Sequence, residues 1–355
     1  MSDQADNDSL EQHVRSILKQ KSQLVQERFP QFLLPTESFE EPELREFSQM
    51  VWDYNLRGGK RMRPALCLLS TEAFGGDSQK ALPTAVGLEL LQNFLLVHDD
   101  IEDESELRRG KPCLHKIYGI PAAINAGDAL FCKCFEALEK NRQLLGAGKT
   151  LKIMREFIAQ LNRTVEGQAM ELAWIRNNKW DMTEKQYFKL VELKTAHYTI
   201  TTPLKLGAII AGASAKDVNA LVKIGMQLGT AFQIVDDALN LSGEQAKIGK
   251  EIAGDLLEAK RTLVLIHLLK KCTPKEREFV QQALSRPRSE KDAHEIESVM
   301  QLITEKQSVQ YALAKARELS TSALENFKAK FAHVPNLQAK KDLLEVLEFA
   351  VTRTH

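Results

Sequence analysis

Two apolar runs that end in adjacent aspartates, LLVHDD at 95–100 and FQIVDD at 232–237, constrain this chain more than any other feature in it. Both lie in stretches whose apolar residues recur at spacings of three and four, the pattern of a helix with a buried face. At about 100° per residue, Asp99 and Asp103 fall one turn apart on one face, with Asp100 on its adjoining edge. A lone acidic cluster is normally a solvated helix face or a cap. Adjacent carboxylates placed directly after apolar runs decorate a surface poorly, and Asp236 and Asp237 repeat the arrangement. Like charges held this way resist joint ionisation unless a cation sits between them. Oxygen-only ligands suit a hard cation that shares phosphate oxygens with a substrate, so magnesium is expected.

The basic residues point to phosphate. GGKRMRP sets Lys60 and Arg63 near the start of a helix, and Arg108 and Arg109 follow the first acidic cluster in RRGKP. Arginine forks match phosphate oxygens and lysine adds a point charge. GGK lacks the spacing of a P-loop and read alone is a turn. Two acidic and two basic clusters together suggest a metal-bound diphosphate beside a metal-free one, hence two substrates. The chain carries 48 acidic and 48 basic side chains, so nothing in its charge calls for nucleic acid or an anionic membrane surface.

Taken in order, GGKxxR at 58–63, DDxxD at 99–103, RRGKP at 108–112, GQ at 167–168, KT at 194–195, FQIVDD at 232–237 and GKEIAGDLLEAK at 249–260 identify a resemblance. From about residue 50 to 270 the chain resembles the trans-isoprenyl diphosphate synthases of the polyprenyl synthetase family. The resemblance implies a single-domain isoprenoid synthase-type helical bundle around a central cavity, a homodimer, and three magnesium ions per site. It implies head-to-tail transfer, in which an allylic diphosphate ionises and isopentenyl diphosphate attacks the resulting cation. Asp99, Asp100, Asp103, Asp236 and Asp237 would hold the metals, with Asn240 and Glu171 holding metal-bound water behind them. Isopentenyl diphosphate would take Lys60, Arg63, Gln92 and Arg109, while the allylic diphosphate would take Arg108, Lys194, Lys250 and Lys260. The Lys194 carbonyl, the Thr195 hydroxyl and the Gln233 amide would steady the cation. No protein base is required, because in the family the released diphosphate takes the final proton; His98 and His115 are therefore read as structural. Asn240 departs from the family's usual aspartate, which implies somewhat weaker metal binding.

The family sets product length on the helix bearing the first motif, where Phe94 stands five residues before Asp99 and Leu95 follows it. One aromatic floor, with no insertion in DDIED, implies a C20 product, geranylgeranyl diphosphate, over C15 farnesyl diphosphate. Helix geometry is awkward for this assignment. Five residues rotate by about 140°, which takes Phe94 off the Asp99 stripe, and an ordinary core role is the alternative.

Helical periodicity runs almost throughout, so the fold class is all-α. Prolines 64, 83, 112, 121, 203 and 274 sit where helices should begin or bend. Residues 1–8 are polar and read as disordered, leaving 9–355 as one domain, and SRPRSEKD at 285–292 reads as an exposed turn before a final pair of helices. There is no charged, apolar and small-residue leader and no uninterrupted apolar run of membrane-spanning length, so no stable membrane insertion is expected. The five cysteines, odd in number and without zinc spacing, fit a reducing cytoplasmic location. Two rival functions stand against the synthase. A class I terpene cyclase would usually carry N-D-x-x-S-x-x-x-E, which VDDALNLSGE lacks. A catalytically silent partner subunit would generally lose motif aspartates, and Asn240 is the single change in that direction.

Overall fold

The computed structural model of the chain describes residues 2–33, 35–241 and 253–352, the first eight of these by backbone alone. It is all-α, as the periodicity predicts. α1 (Ser2–Gln26), α2 (Pro42–Leu56) and α3 (Met62–Ala73) lead to α4 (Leu82–Glu102). A two-residue hairpin, β1 (Leu107–Arg108) with β2 (Lys111–Pro112), precedes α5 (Leu114–Tyr118), α6 (Ile120–Glu139), α7 (Asn141–Leu145) and α8 (Ala147–Arg176). α9 (Glu184–Val191) runs through a π-helical segment (Glu192–Thr201) into α10 (Thr202–Ala211), and α11 (Ala215–Asn240) follows. The chain ends with α12 (Gly254–Leu257), α13 (Leu263–Lys271), α14 (Pro274–Ser285), α15 (Ala293–Glu305), α16 (Ser308–Lys330) and α17 (Leu337–Thr352).

Local chemistry explains many of the boundaries. Prolines stand in the first turn of α2, α4, α6, α10 and α14, where the missing N–H costs no bond. Thr183 with Gln186 and Thr273 with Glu276 form reciprocal capping boxes that start α9 and α14. Every residue of α4 from Leu82 to Asn93 is buried, which makes this helix a central post rather than an amphipathic wall. It packs on α6; α11 lies between the π segment and α16, and α3 between α10 and α17.

The π segment is gripped by glycines. A Cβ on Gly167 of α8 would lie 2.5 Å from the Lys194 backbone nitrogen, and on α11 one at Gly229 would lie 2.6 Å from the Ala196 Cα. Gly225, a turn earlier, would meet the Thr201 Cα at 2.8 Å. Only hydrogen fits at these three places, so two straight helices close onto the widened one.

Three expectations need correction. The polar N-terminus is helical from Ser2, since adding residues to an existing helix costs far less than starting one. Three helices, not two, follow residues 285–292. By length and composition α11 could cross a membrane, yet half of its apolar window is buried inside the protein and it bears Asp236 and Asp237, as befits a core helix.

Candidate active site

A cavity of about 480 Å³ opens where the C-terminal ends of α4 and α11 come together. Gln92, Leu96, Asp99 and Asp103 line it from α4, at spacings of four, three and four along one helix stripe. Phe232, Gln233, Asp236, Asp237 and Asn240 line it from α11. Both acidic groups therefore occupy last turns, where the helix dipole adds partial negative charge of its own. Carboxylates there are stable only with cations close by.

Two lysines supply part of that charge. Lys194 Nζ lies 3.4 Å from Asp99 Oδ1 and donates to Glu171, while Lys260 Nζ lies 2.7 Å from Asp103 Oδ2. Burial alone would raise the Asp99 pKa, but Lys194, Lys260 and Arg108 hold that carboxyl well below the usual range. Asp103 differs: burial pushes it up to about 7, and the nearby Asp99 and Glu258 charges reinforce the rise. Burial also pushes Asp237 up to about 7, although the Tyr187 hydroxyl at 2.8 Å and the Gln233 amide at 2.5 Å both donate to it. The acidic wall thus retains unmet demand for positive charge, and its all-oxygen donors fit magnesium.

The basic residues form the opposite wall. Gly58 and Gly59, at φ 82° and 123°, turn the chain into α3 and place Lys60 and Arg63 at the cavity. Arg63 donates to the Thr199 hydroxyl at 2.9 Å and stacks on the Tyr198 ring at 4.4 Å. Lys60 lies over the Phe349 ring of α17 at 5.1 Å. In the hairpin, Arg109 and Gly110 both have positive φ, the geometry of a two-residue type I′ turn. This turn aims the Arg109 guanidinium past Gly59, where a Cβ would stand 3.3 Å from it. Arg109 Nη1 is fixed by the Tyr54 carbonyl at 2.7 Å.

Several expected residues are placed differently. Asp100 is fully buried, faces away from the cavity, and accepts bonds from Tyr54 and Arg108. About 100° of helical rotation separates it from Asp99, enough to turn it toward α2 rather than toward a metal. Glu171, expected behind the metals, pairs with Lys194 instead. Asn240 accepts the Asp255 N–H at 3.0 Å and so ties α11 to the start of α12. Lys250 lies outside the described residues. Phe94 and Leu95 are absent from the cavity lining, which on its apolar side consists of Leu96, Leu190, Val191 and Phe232. The Phe94 ring instead contacts His98 and Phe131 at centroid distances of 4.8 and 5.0 Å, on the α6 side of α4. The 140° rotation noted above is the reason. Gln92, Arg108, Thr195, Gln233 and Lys260 do line the cavity.

Other lining residues escaped the sequence reading. Tyr187 and Tyr198 lie on the same stripe as Lys194, at seven residues before and four after, so helical spacing could have revealed them. Glu258 and Arg261, inside and just beyond the GKEIAGDLLEAK motif, carry no local signal of their roles. All five cysteines are free thiols.

Comparison with known proteins matches the same elements. Residues 45–303 match the profile of a family described as polyprenyl synthetase. The chain is 37% identical over 296 residues to a geranylgeranyl diphosphate synthase of Saccharolobus solfataricus, covering 83% of this chain and 87% of that protein. It is 31% identical over 359 residues to a geranylfarnesyl diphosphate synthase of Natronomonas pharaonis, covering 97% and 98%. Among solved structures it superposes on geranylgeranyl pyrophosphate synthetase from Pyrococcus horikoshii with a TM-score of 0.83 and 31% identity, covering 96% and 99% of the two chains.

Proposed function

This chain belongs to the polyprenyl synthetase family, and from that premise we propose that it condenses isopentenyl diphosphate with an allylic diphosphate, head to tail, giving C20 geranylgeranyl diphosphate. One observation carries the reading. A single cavity presents an acidic wall of Asp99, Asp103 and Asp236 and a separate basic wall of Lys60, Arg63 and Arg109, which suits one metal-bound and one metal-free diphosphate.

Magnesium held by Asp99, Asp103 and Asp236 would neutralise charge developing on the allylic leaving group. Arg108 and Lys194, each anchored on buried carboxylates, would position that diphosphate with little further ordering. Lys60, Arg63 and Arg109 would orient isopentenyl diphosphate. The Gln233 NH2 is committed to Asp237, so the amide oxygen is the pole left to face a positive carbon, beside the Thr195 hydroxyl. Leu96, Leu190, Val191 and Phe232 would keep water from that carbon.

The preference for C20 rests on the geranylgeranyl-forming relative and on the Phe94–Phe131 stack behind Leu96, which would obstruct a longer tail on the α6 side of α4. We also infer a homodimer through α6 and α8. Leu151, Ile158 and Val165 recur every seven residues as an exposed apolar stripe on α8, and Ile120 and Ile124 are exposed on α6.

The test is to incubate the purified chain with magnesium, isopentenyl diphosphate and a C5, C10 or C15 primer, then chromatograph the dephosphorylated products. A C20 alcohol supports the reading, a C15 or C25 alcohol moves the product assignment, and no prenyl product from any primer overturns it. Light scattering after size exclusion reports the dimer.

A further inference from the structure

The short stretch from Ala253 to Arg261 is held under strain and gripped from several sides. Ala253 and Ala259, on either side of the single turn of α12, have φ of 57° and 56°, a left-handed conformation that side chains other than glycine rarely adopt. Strained backbone persists only where its surroundings over-determine it. Here Lys291 donates to the Leu257 carbonyl, Arg261 Nε donates to the Lys179 carbonyl at 2.8 Å, and the Arg261 guanidinium lies 3.7 Å from the centre of the Trp180 ring.

At the middle of this stretch Glu258 bridges three parts of the chain. Its Oε2 lies 2.7 Å from Lys260 Nζ, while its Oε1 lies 3.3 Å from Arg288 Nη1 and accepts the Ser105 hydroxyl at 3.4 Å. Lys260 in turn meets Asp103 at 2.7 Å. Arg288, Glu258, Lys260 and Asp103 thus form a row of alternating charge that runs from the α14–α15 connection into the cavity. Both Glu258 and Asp103 side chains are at least nine-tenths buried, so these attractions are poorly screened.

We propose that Glu258 is a positioning residue for diphosphate binding: it holds the Lys260 ammonium between two carboxylates, and Arg288 clamps Glu258 from outside. Without Glu258, Lys260 collapses onto Asp103 alone and neutralises a carboxylate that the cation site needs, while the ammonium leaves the position that meets the diphosphate. The basic wall at Lys60, Arg63 and Arg109 is built by other elements and is not disturbed. The substrate assignment rests on the synthase reading given above; the geometry of the row does not.

Glu258→Gln and Arg288→Ala test it in two assays. Calorimetric titration of the full-length chain with inorganic diphosphate and magnesium should show affinity about tenfold weaker in Glu258→Gln, the scale of one lost charge-assisted bond, and a smaller loss in Arg288→Ala. In steady-state assays, KM for the allylic diphosphate should rise in both variants while KM for isopentenyl diphosphate holds. Arg288→Ala removes the clamp and leaves every cavity-lining residue in place, so it decides the matter if Glu258→Gln fails to fold. Unchanged diphosphate affinity in a folded variant, or equal rises in both KM values with a lower melting temperature, overturns the positioning role. A wild-type chain that binds diphosphate through this row but forms no prenyl product overturns the synthase reading and leaves the positioning role standing.

Discussion

The Asp100 carboxylate accepts the Tyr54 hydroxyl at 2.5 Å, so the second of two adjacent aspartates serves a buried arginine while the first faces the cavity. Tyr54 brings this contact from α2, and Arg108 completes it through Nε at 2.9 Å. Asp99→Asn should therefore raise the magnesium concentration needed for half-maximal rate. Asp100→Asn should leave that concentration near the wild-type value and weaken allylic diphosphate binding, because Arg108 loses its anchor. Tyr54→Phe deprives a buried carboxylate of one donor and should cost roughly 1–3 kcal/mol of stability. Magnesium titrations of the three variants, with thermal melts, separate these effects; an equal magnesium shift in Asp99→Asn and Asp100→Asn refutes the division of labour.

How much of this was legible in the sequence varies with the range of the interaction. The Asp99–Asp103 stripe and the RRGKP turn follow from helix repeat and from glycine in a two-residue loop, and both are local. The direction of Asp100 depends on Tyr54, 46 residues earlier, and the partner of Glu258 lies 30 residues later at Arg288. No spacing rule relates such positions. Lys194 was identifiable from its motif, whereas the π winding that carries it depends on glycines of two other helices.

Asn240→Asp should lower the magnesium requirement modestly. Its side-chain oxygen accepts the Asp255 N–H, a bond that a carboxylate also makes, so the link to α12 survives while a negative charge joins the acidic wall. Rate measured against magnesium concentration checks this. An unchanged or higher requirement would show that position 240 serves the fold alone.

Phe94→Ala should lengthen the product. Its ring fills the space between His98 and Phe131, and removing it leaves a gap on the far side of Leu96 that a growing tail can enter. The truncation should also destabilise the protein by about 3–5 kcal/mol, as for other buried aromatics. Chromatography of dephosphorylated products beside a thermal melt distinguishes the roles, since a core-only Phe94 lowers the melting temperature without changing chain length.

Stability should depend on pH and magnesium together. Asp103 and Asp237 are raised to about 7 in the folded protein, against about 3.9 in an unfolded chain. Below that lower value both states hold the protons. As pH rises toward 7 the unfolded chain releases them first, so stability contributed by these two groups is progressively lost. Asp99 is shifted the opposite way, and its contribution disappears only as pH falls below the ordinary carboxylate range. Magnesium binds the ionised native carboxylates, so the gain in melting temperature from magnesium over chelator should grow between pH 5 and pH 8, limits chosen to span roughly these values. A gain independent of pH would contradict the assignment.

The ten-residue π segment amounts to a length insertion that the chain has kept. Shortening it by one residue would let the backbone wind back to the commoner helix, locally the easier conformation. The same deletion would rotate all that follows by about 100° relative to what precedes it. Tyr187, Leu190 and Lys194 on one side of the cut and Tyr198 on the other could then no longer share the cavity. Drift in sequence length is therefore barred here even though single substitutions between the gripping glycines can be absorbed, and the register of the segment is a more stringent constraint on this protein than the identity of most residues within it.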